Sequence, residues 1–439
     1  MDSIVDYLIN NQRQYENRIE NIYVERDISQ ILILSPTGEI YQKTDCECGL
    51  GFREKRNYRY FNHMSLENIN TIFNFKNITN RHTGTEILKF PDYMYQFECL
   101  DYNEIEFIKS IQSIYLSYKF VMNCEIHCRF SVQYLSIMDN GYSWHKAIRP
   151  FSTIEIICYE RRGESIIKTA HTWSFQEYHK TFFCRSRGYF TTEINNNRLP
   201  IKDINREFRN IIIARGCAKF FHEAIGHSIE ADSYVSNNSI LYGKLGCKIG
   251  SELLNIYDDP TIKGLNGSFK IDDEGNVAQK KYLVKNGVLV DLLYDSRTAG
   301  KNNKFIAGNA RRRGYQFETL PRMSNTIIDN GYDDGNSIVS NLNDALLVKD
   351  IGNGSVDTNS GDFNIAILDS SMIINGEERI KFNPFIAHGN TNKVLNSIEA
   401  IGNDLMLKSS ADYCMKNGQS IPIAYGQPTV LLHGIHTLY

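Results

Sequence analysis

The chain has 439 residues, 42% of them hydrophobic and 23% charged, with a formal net charge of −3. This is an ordinary soluble globular composition, long enough for two or three domains, and its weak net field excludes electrostatic recruitment to nucleic acid or anionic lipid as a general mode of action. The ten cysteines lack disulfide-framework spacing, the N-terminus is acidic (Asp2, Asp6) rather than basic, and apolar runs such as Ile31-Leu32-Ile33-Leu34 fall short of the ~18 residues of a membrane span. The expectation is a cytoplasmic protein with free thiols and no membrane association.

In chain order, residues 2–19 predict a helix capped by Ser3, with Ile4, Leu8 and Ile9 as its apolar stripe. A strand over Gln30 to Leu34, a Pro36-Thr37-Gly38 turn and a second strand follow, and another strand begins at Gly49-Leu50-Gly51-Phe52-Arg53. Ser65 caps a short helix to about Phe75. These elements make an α/β unit over 1–85 that ends in the polar stretch Asn77 to Thr85.

A second α/β unit, 86–207, opens with a helix over 103–118 carrying Ile105, Ile108, Ile111 and Tyr115 on one side. From 124 to 176 the period changes to two: Ile126, Cys128, Phe130 and Val132 alternate with polar neighbours, and Asp139-Asn140-Gly141 predicts a turn. Thr153–Tyr159 and Glu164–Ala170 predict a hairpin around Arg161-Arg162-Gly163. The span 180–207 reads as linker.

The third unit, 208–439, begins with a buried strand from Asn210 to Ala214, broken at Gly216, and an apolar helix from about Cys217 to Ala231. Short strands between Gly, Asn and Asp turns then dominate. The expected class is α+β, an α/β N-terminal portion followed by a β-rich C-terminal domain.

The most informative segment is His222-Glu223-Ala224-Ile225-Gly226-His227. Imidazoles suit zinc, and a carboxylate beside a ligand can take a proton from an activated water. The histidines are five apart, an HExxxH spacing that puts them about 140° apart on an ideal helix. To share one ion they need a distortion, and Gly226 lowers the cost of a kink or a π-bulge there. A third ligand has to come from elsewhere; Cys414, in a polar glycine-bearing loop, is a candidate. On the residues alone, a packed histidine pair and a free thiol stand beside the metal site as alternatives.

The motifs that follow discriminate between them. His222 to Asp232, Ile271-Asp272-Asp273-Glu274-Gly275, Gly308-Asn309-Ala310-Arg311-Arg312 with Tyr315, Pro321-Arg322-Met323-Ser324-Asn325-Thr326, Ser360-Gly361-Asp362-Phe363, Ile401-Gly402-Asn403-Asp404-Leu405, and Cys414 through Gly426-Gln427-Pro428-Thr429 occur in this order. Together they resemble the TldD/PmbA family of metallopeptidases on its active, TldD-like side; the N-terminal half resembles it more weakly. Ala310 departs from a family glycine, and Arg313-Gly314 from Glu-Ser. The resemblance implies Zn2+ held by His222, His227 and Cys414, Glu223 as general base, a catalytic C-terminal domain, and an unfolded or short peptide bound as an extended strand in an enclosed chamber. It also implies a homodimer, or a heterodimer with an inactive relative. A non-catalytic partner that shapes a peptide chamber is the alternative, although such relatives lose the histidines and glutamate kept here.

Asn309, Arg311 and Arg312 are candidate substrate contacts, with a structural pair as the competing role for the two arginines. Asp272, Asp273 and Glu274 read as a hairpin turn more readily than as a second cation site. Glu230 and Asp232 could orient an imidazole or merely end a helix. Cys124, His127 and Cys128 lie on an alternating strand that turns His127 away from both thiols, and the family's historical link to gyrase finds no basic-aromatic pattern here to support nucleic-acid binding.

Overall fold

Alternation of apolar and polar residues builds the first half of the chain into long antiparallel strands. The computed structural model describes residues 2–15, 17–54, 57–62, 100–162, 165–178, 199–301, 308–408 and 412–433. Strands β1 (Ile19–Leu34), β2 (Ile40–Glu54), β3 (Asn57–Asn62), β4 (Val121–Met138), β5 (Trp144–Arg162) and β6 (Ser165–Phe175) form one sheet in the order β3-β2-β1-β4-β5-β6. β1 pairs with β4 from Ile22↔Met138 to Leu34↔Ile126, so strands from the two expected N-terminal units share one hydrogen-bonded sheet.

The predicted helix over 2–19 is shorter. α1 spans Asp2–Asn10, and Ile19 already begins β1, because the polar run after Asn10 continues no apolar stripe. β1 extends far before the expected Gln30. Its alternation was masked because both faces are covered: Ile22 and Val24 pack with α1, while Tyr23 and Glu25 face the C-terminal domain. Helix α2 (Tyr102–Leu116) matches the 103–118 expectation. It starts at a capping box between Asp101 and Glu104 and packs Ile108, Ile111 and Tyr115 over Cys124, Ile126 and Ile154. The helix expected from Ser65, the Asn77–Thr85 boundary and most of the 180–207 linker lie outside the described residues.

The C-terminal domain contains two mixed sheets. An eight-stranded sheet places Asn210–Ile213 between Val430–His433 and Asp344–Val356; a six-stranded sheet centres on Ile256–Asp258, Asn325–Ile328 and Ala424–Gln427. One core joins Ile211, Val348 and Phe363 of the first sheet to Ile256, Ile328 and Tyr425 of the second, with Phe220, Phe221 and Ile225 among them. At Gly216 the backbone takes φ +75°, a left-handed turn suited to glycine, and delivers the chain from the strand into the His222 helix. Among the described residues no helix is long and apolar enough to cross a membrane.

Candidate metal centre

Helix α3 (Lys219–Ala224) is held by its aromatic residues: Phe220 meets Phe363 edge-on at 5.7 Å, and His222 is buried beside it. The helix then stops. Ile225 leaves helical geometry (φ −132°, ψ −30°), a 3-10 turn runs Gly226–Ile229, and α4 (Ala231–Val235) follows. The Thr391 hydroxyl donates to the carbonyl of Ala224, satisfying a helix-end acceptor. The continuous helix expected from Cys217 to Ala231 is therefore three pieces, and the expected distortion is an α-to-3-10 break. It brings the His222 and His227 rings to 5.3 Å between centroids.

Gly226 serves this break through space rather than through a left-handed backbone. A Cβ there would lie 2.2 Å from the Met323 sulfur. Cys414, expected in a loop, sits instead in the strand Tyr413–Lys416, paired with Gln419–Pro422 across Asn417 (φ 48°) and Gly418 (φ 73°). Two central residues with positive φ are the signature of a tight two-residue hairpin.

That hairpin carries Cys414 Sγ to 3.4 Å from His227 Nε2, and one ligand atom from each of His222, His227 and Cys414 falls within 4.8 Å of the others. Tetrahedral zinc with ordinary Zn–N and Zn–S bonds needs an N···S separation of about 3.6 Å. The buried Nδ1 of His222 has no hydrogen-bond partner among the described residues. The donors fit a small thiophilic cation.

The electrostatics agree. Burial opposes ionisation of the Cys414 thiol, but the two imidazoles outweigh it and hold its pKa well below the usual range, favouring the ligating thiolate. Burial also opposes charge on Glu230, yet Lys416 and His227 keep its carboxyl far below the usual range. Glu230 Oε2 lies 3.0 Å from His227 Nδ1, so the ring turns Nε2 toward Cys414.

Over residues 207–437, more than half of the chain, the sequence matches the family model of the PmbA/TldA metallopeptidase C-terminal domain. The chain belongs to the PmbA/TldD family of metallopeptidases. A metalloprotease of Methanocaldococcus jannaschii is 33% identical over 258 residues, 55% of this chain and 56% of that one. A zinc metalloprotease TldD homolog of Saccharolobus solfataricus is 34% identical over 213 residues, 48% of this chain and 47% of that one. The chain thus spans about half the length of the curated relatives it matches. TldE from Thermococcus kodakarensis shares the fold with a TM-score of 0.71 at 14% identity, covering 99% of this chain and 100% of that one.

In this PmbA/TldD chain Glu223 is largely buried and makes no hydrogen bond or ion pair among the described residues. The strand Asp344–Val356 runs beneath it: a Cβ at Gly354 would lie 2.7 Å from Glu223 Cγ, so a side chain there would displace Glu223 from its place. Asn210–Ile213 pairs this strand only over Leu346–Val348, and no other described strand continues that edge toward Gly354.

The structure engages Asn309, Arg311 and Arg312 elsewhere. Asn309 donates to Asp258 at 3.3 Å. Arg311 donates to the Met323 carbonyl at 2.9 Å and stacks over Phe269. Arg312 donates to the Tyr58 hydroxyl and to Asn21 Oδ1, joining the C-terminal domain to the N-terminal sheet. As substrate contacts they would have to give up these partners. Asp272, Asp273 and Glu274 form a turn whose carboxylates are occupied: Asp272 by Glu274 N, Asn276 N and Ala310 N, Asp273 by Arg149, Glu274 by Arg53 and Ser296. His127 faces Glu125 and Glu155, away from buried Cys124 and Cys128, as expected; Cys124 Sγ instead meets Cys158 Sγ at 3.9 Å.

Sequence reasoning missed Gly354, Arg322 and Lys416. The Asn417-Gly418 pair was a legible hairpin signal; the long-range ion pairs of Arg322 and Lys416 had none.

Proposed function

We propose that this chain is a zinc-dependent peptidase that cleaves unfolded or short peptides bound as an extended strand. The observation that carries this reading is the convergence of two imidazoles and one thiol, ligand atoms within 4.8 Å, beside a glutamate without an intramolecular partner among the described residues. The zinc metalloprotease name of a relative supports the choice of metal.

When bound, zinc supplies Lewis acidity toward a peptide carbonyl and toward water. His222, His227 and Cys414 would hold it; Glu223 accepts a proton from the attacking water and returns it to the leaving amine. The glycine backbone at 354 admits Glu223 close to the strand, and the edge beyond Val348, which no other described strand covers, offers backbone donors and acceptors to an added strand. The proposed setting is a dimer, either of two such chains or with an inactive relative.

The test is metal analysis of the purified chain, with mass spectrometry of an unfolded peptide pool incubated with wild type and Glu223→Gln. Zinc in both proteins and cleavage by wild type alone is expected. A zinc-loaded wild type that cleaves nothing favours the non-catalytic chamber partner; cleavage by Glu223→Gln removes the role given to that residue.

A further inference from the structure

Behind the candidate ligands lies a group of charges too well buried to serve solubility. Glu230 and Arg322 are fully buried, and Lys416 is largely so. Glu230 Oε2 lies 3.0 Å from His227 Nδ1 and 2.9 Å from Lys416 Nζ, which also reaches Asp232 at 2.6 Å. The other oxygen of Glu230 lies 3.7 Å from Arg322 Nε. Arg322 in turn donates Nη2 to the carbonyl of Cys414 itself and Nη1 to that of Gln419, on the facing strand of the hairpin, at 3.2 Å.

These contacts connect two ligands that are 187 residues apart in sequence. His227 comes from the broken helix and Cys414 from the hairpin. No backbone hydrogen bond among the described residues ties one to the other. Glu230 fixes the imidazole from behind, Arg322 fixes the cysteine backbone, and the two are in electrostatic contact. Two acids and two bases make the group neutral. Burying charges is expensive, and an apolar filling of the same volume would stabilise the fold as well or better. Placement against the ligands gives the arrangement a reason that packing does not.

We infer that Glu230, Arg322 and Lys416 form a buried brace that sets the spacing of His227 against Cys414 and thereby the affinity of the metal site. The inference rests on the metal-site reading proposed above. Arg322 is a positioning residue: it acts through Glu230 and the Cys414 backbone, without touching the ion.

The experiment is zinc titration by chelator competition on metal-stripped wild type, Glu230→Gln, Arg322→Lys and the double variant. Cobalt spectra of each protein report the thiolate charge-transfer band, and melting of the metal-free form reports the fold. Each single variant is expected to bind zinc about 10–100-fold more weakly with an altered cobalt spectrum. The double variant should lose less than the product of the two, as for coupled neighbours. Should metal-free Glu230→Gln lose its cooperative melt, Arg322→Lys alone decides. Wild type that takes up zinc, beside variants with unchanged affinity and spectra, overturns the brace and leaves the metal site standing. Wild type that takes up none overturns both.

Discussion

The N-terminal sheet and the C-terminal domain bury polar groups to different ends. In the sheet, three buried charges, Glu25, Arg53 and Arg149, lie on the face turned to the C-terminal domain, where they meet Tyr315, Glu274 and Asp273. In the C-terminal domain, buried charge also gathers behind His227 and Cys414. The first set docks one unit on another; the second borders the candidate metal site. The family's sequence likeness lies in residues 207–437, whereas the fold likeness to TldE covers nearly the whole chain. A docking sheet needs shape and a few partners, while a site needs particular atoms.

The sharpest way to break this contrast is at Glu223. Replacement by Gln should lower peptide cleavage by about 10²–10⁴-fold with zinc content unchanged, and Cys414→Ser should lose the metal; retained cleavage in the first would leave the C-terminal domain without its assigned chemistry. Next in size is the docking contact. Arg149→Met leaves Asp273 buried without its 2.7 Å partner, a loss expected to destabilise the chain by about 3 kcal/mol. Thermal melting should show the drop while zinc affinity of the folded protein stays at the wild-type value. A parallel fall in affinity would mean that the sheet shapes the site.

Smaller again is Gly226→Ala, whose added Cβ meets Met323 Sδ. Overpacking there should cost about 1–3 kcal/mol and, unlike the Arg149 change, weaken zinc binding as well. Equal zinc affinity with and without the methyl group would remove Gly226 from the ligand geometry.

The smallest expected effect is a pH slope. Burial pushes the Glu25 carboxyl up from 4.5 to about 7, with Asp27 and Asp273 adding to it and Gln133 and the Tyr315 amide opposing. The folded chain therefore holds an extra proton between these values, and stability falls as pH rises across that window. Glu25→Gln removes this contribution, with Gln133 turning its amide to accept. The variant's melting temperature should gain a few degrees on wild type between pH 5 and pH 8. A difference constant with pH would show that Glu25 is not the titrating group at the docking face.

Local signals made some of this readable in advance. The two-residue period of β4 and β5, the capped α2 stripe and the Asn210–Ile213 strand each follow from neighbours in sequence. So did the need for a distorted backbone between His222 and His227, since five residues at roughly 100° each cannot place both rings on one side. The sequence of β1 shows less than its Ile19–Leu34 length because a strand covered on both faces does not alternate cleanly.

By itself, then, the sequence determined which residue types could bind and activate, their motif order, and the demand for a break in the helix, because spacing and side-chain chemistry are local properties. Only the tertiary structure decided that Cys414 stands on a hairpin strand, that the break is a 3-10 turn made room for by a missing Cβ at Gly226, that Arg312 joins two units, and that Arg322 links Glu230 to Cys414. The hairpin is local, and its Asn417-Gly418 turn is a signal in the sequence, but where it carries Cys414 and how Arg322 and Arg312 engage depend on contacts between segments 92 to 291 residues apart, which leave no local pattern in the sequence.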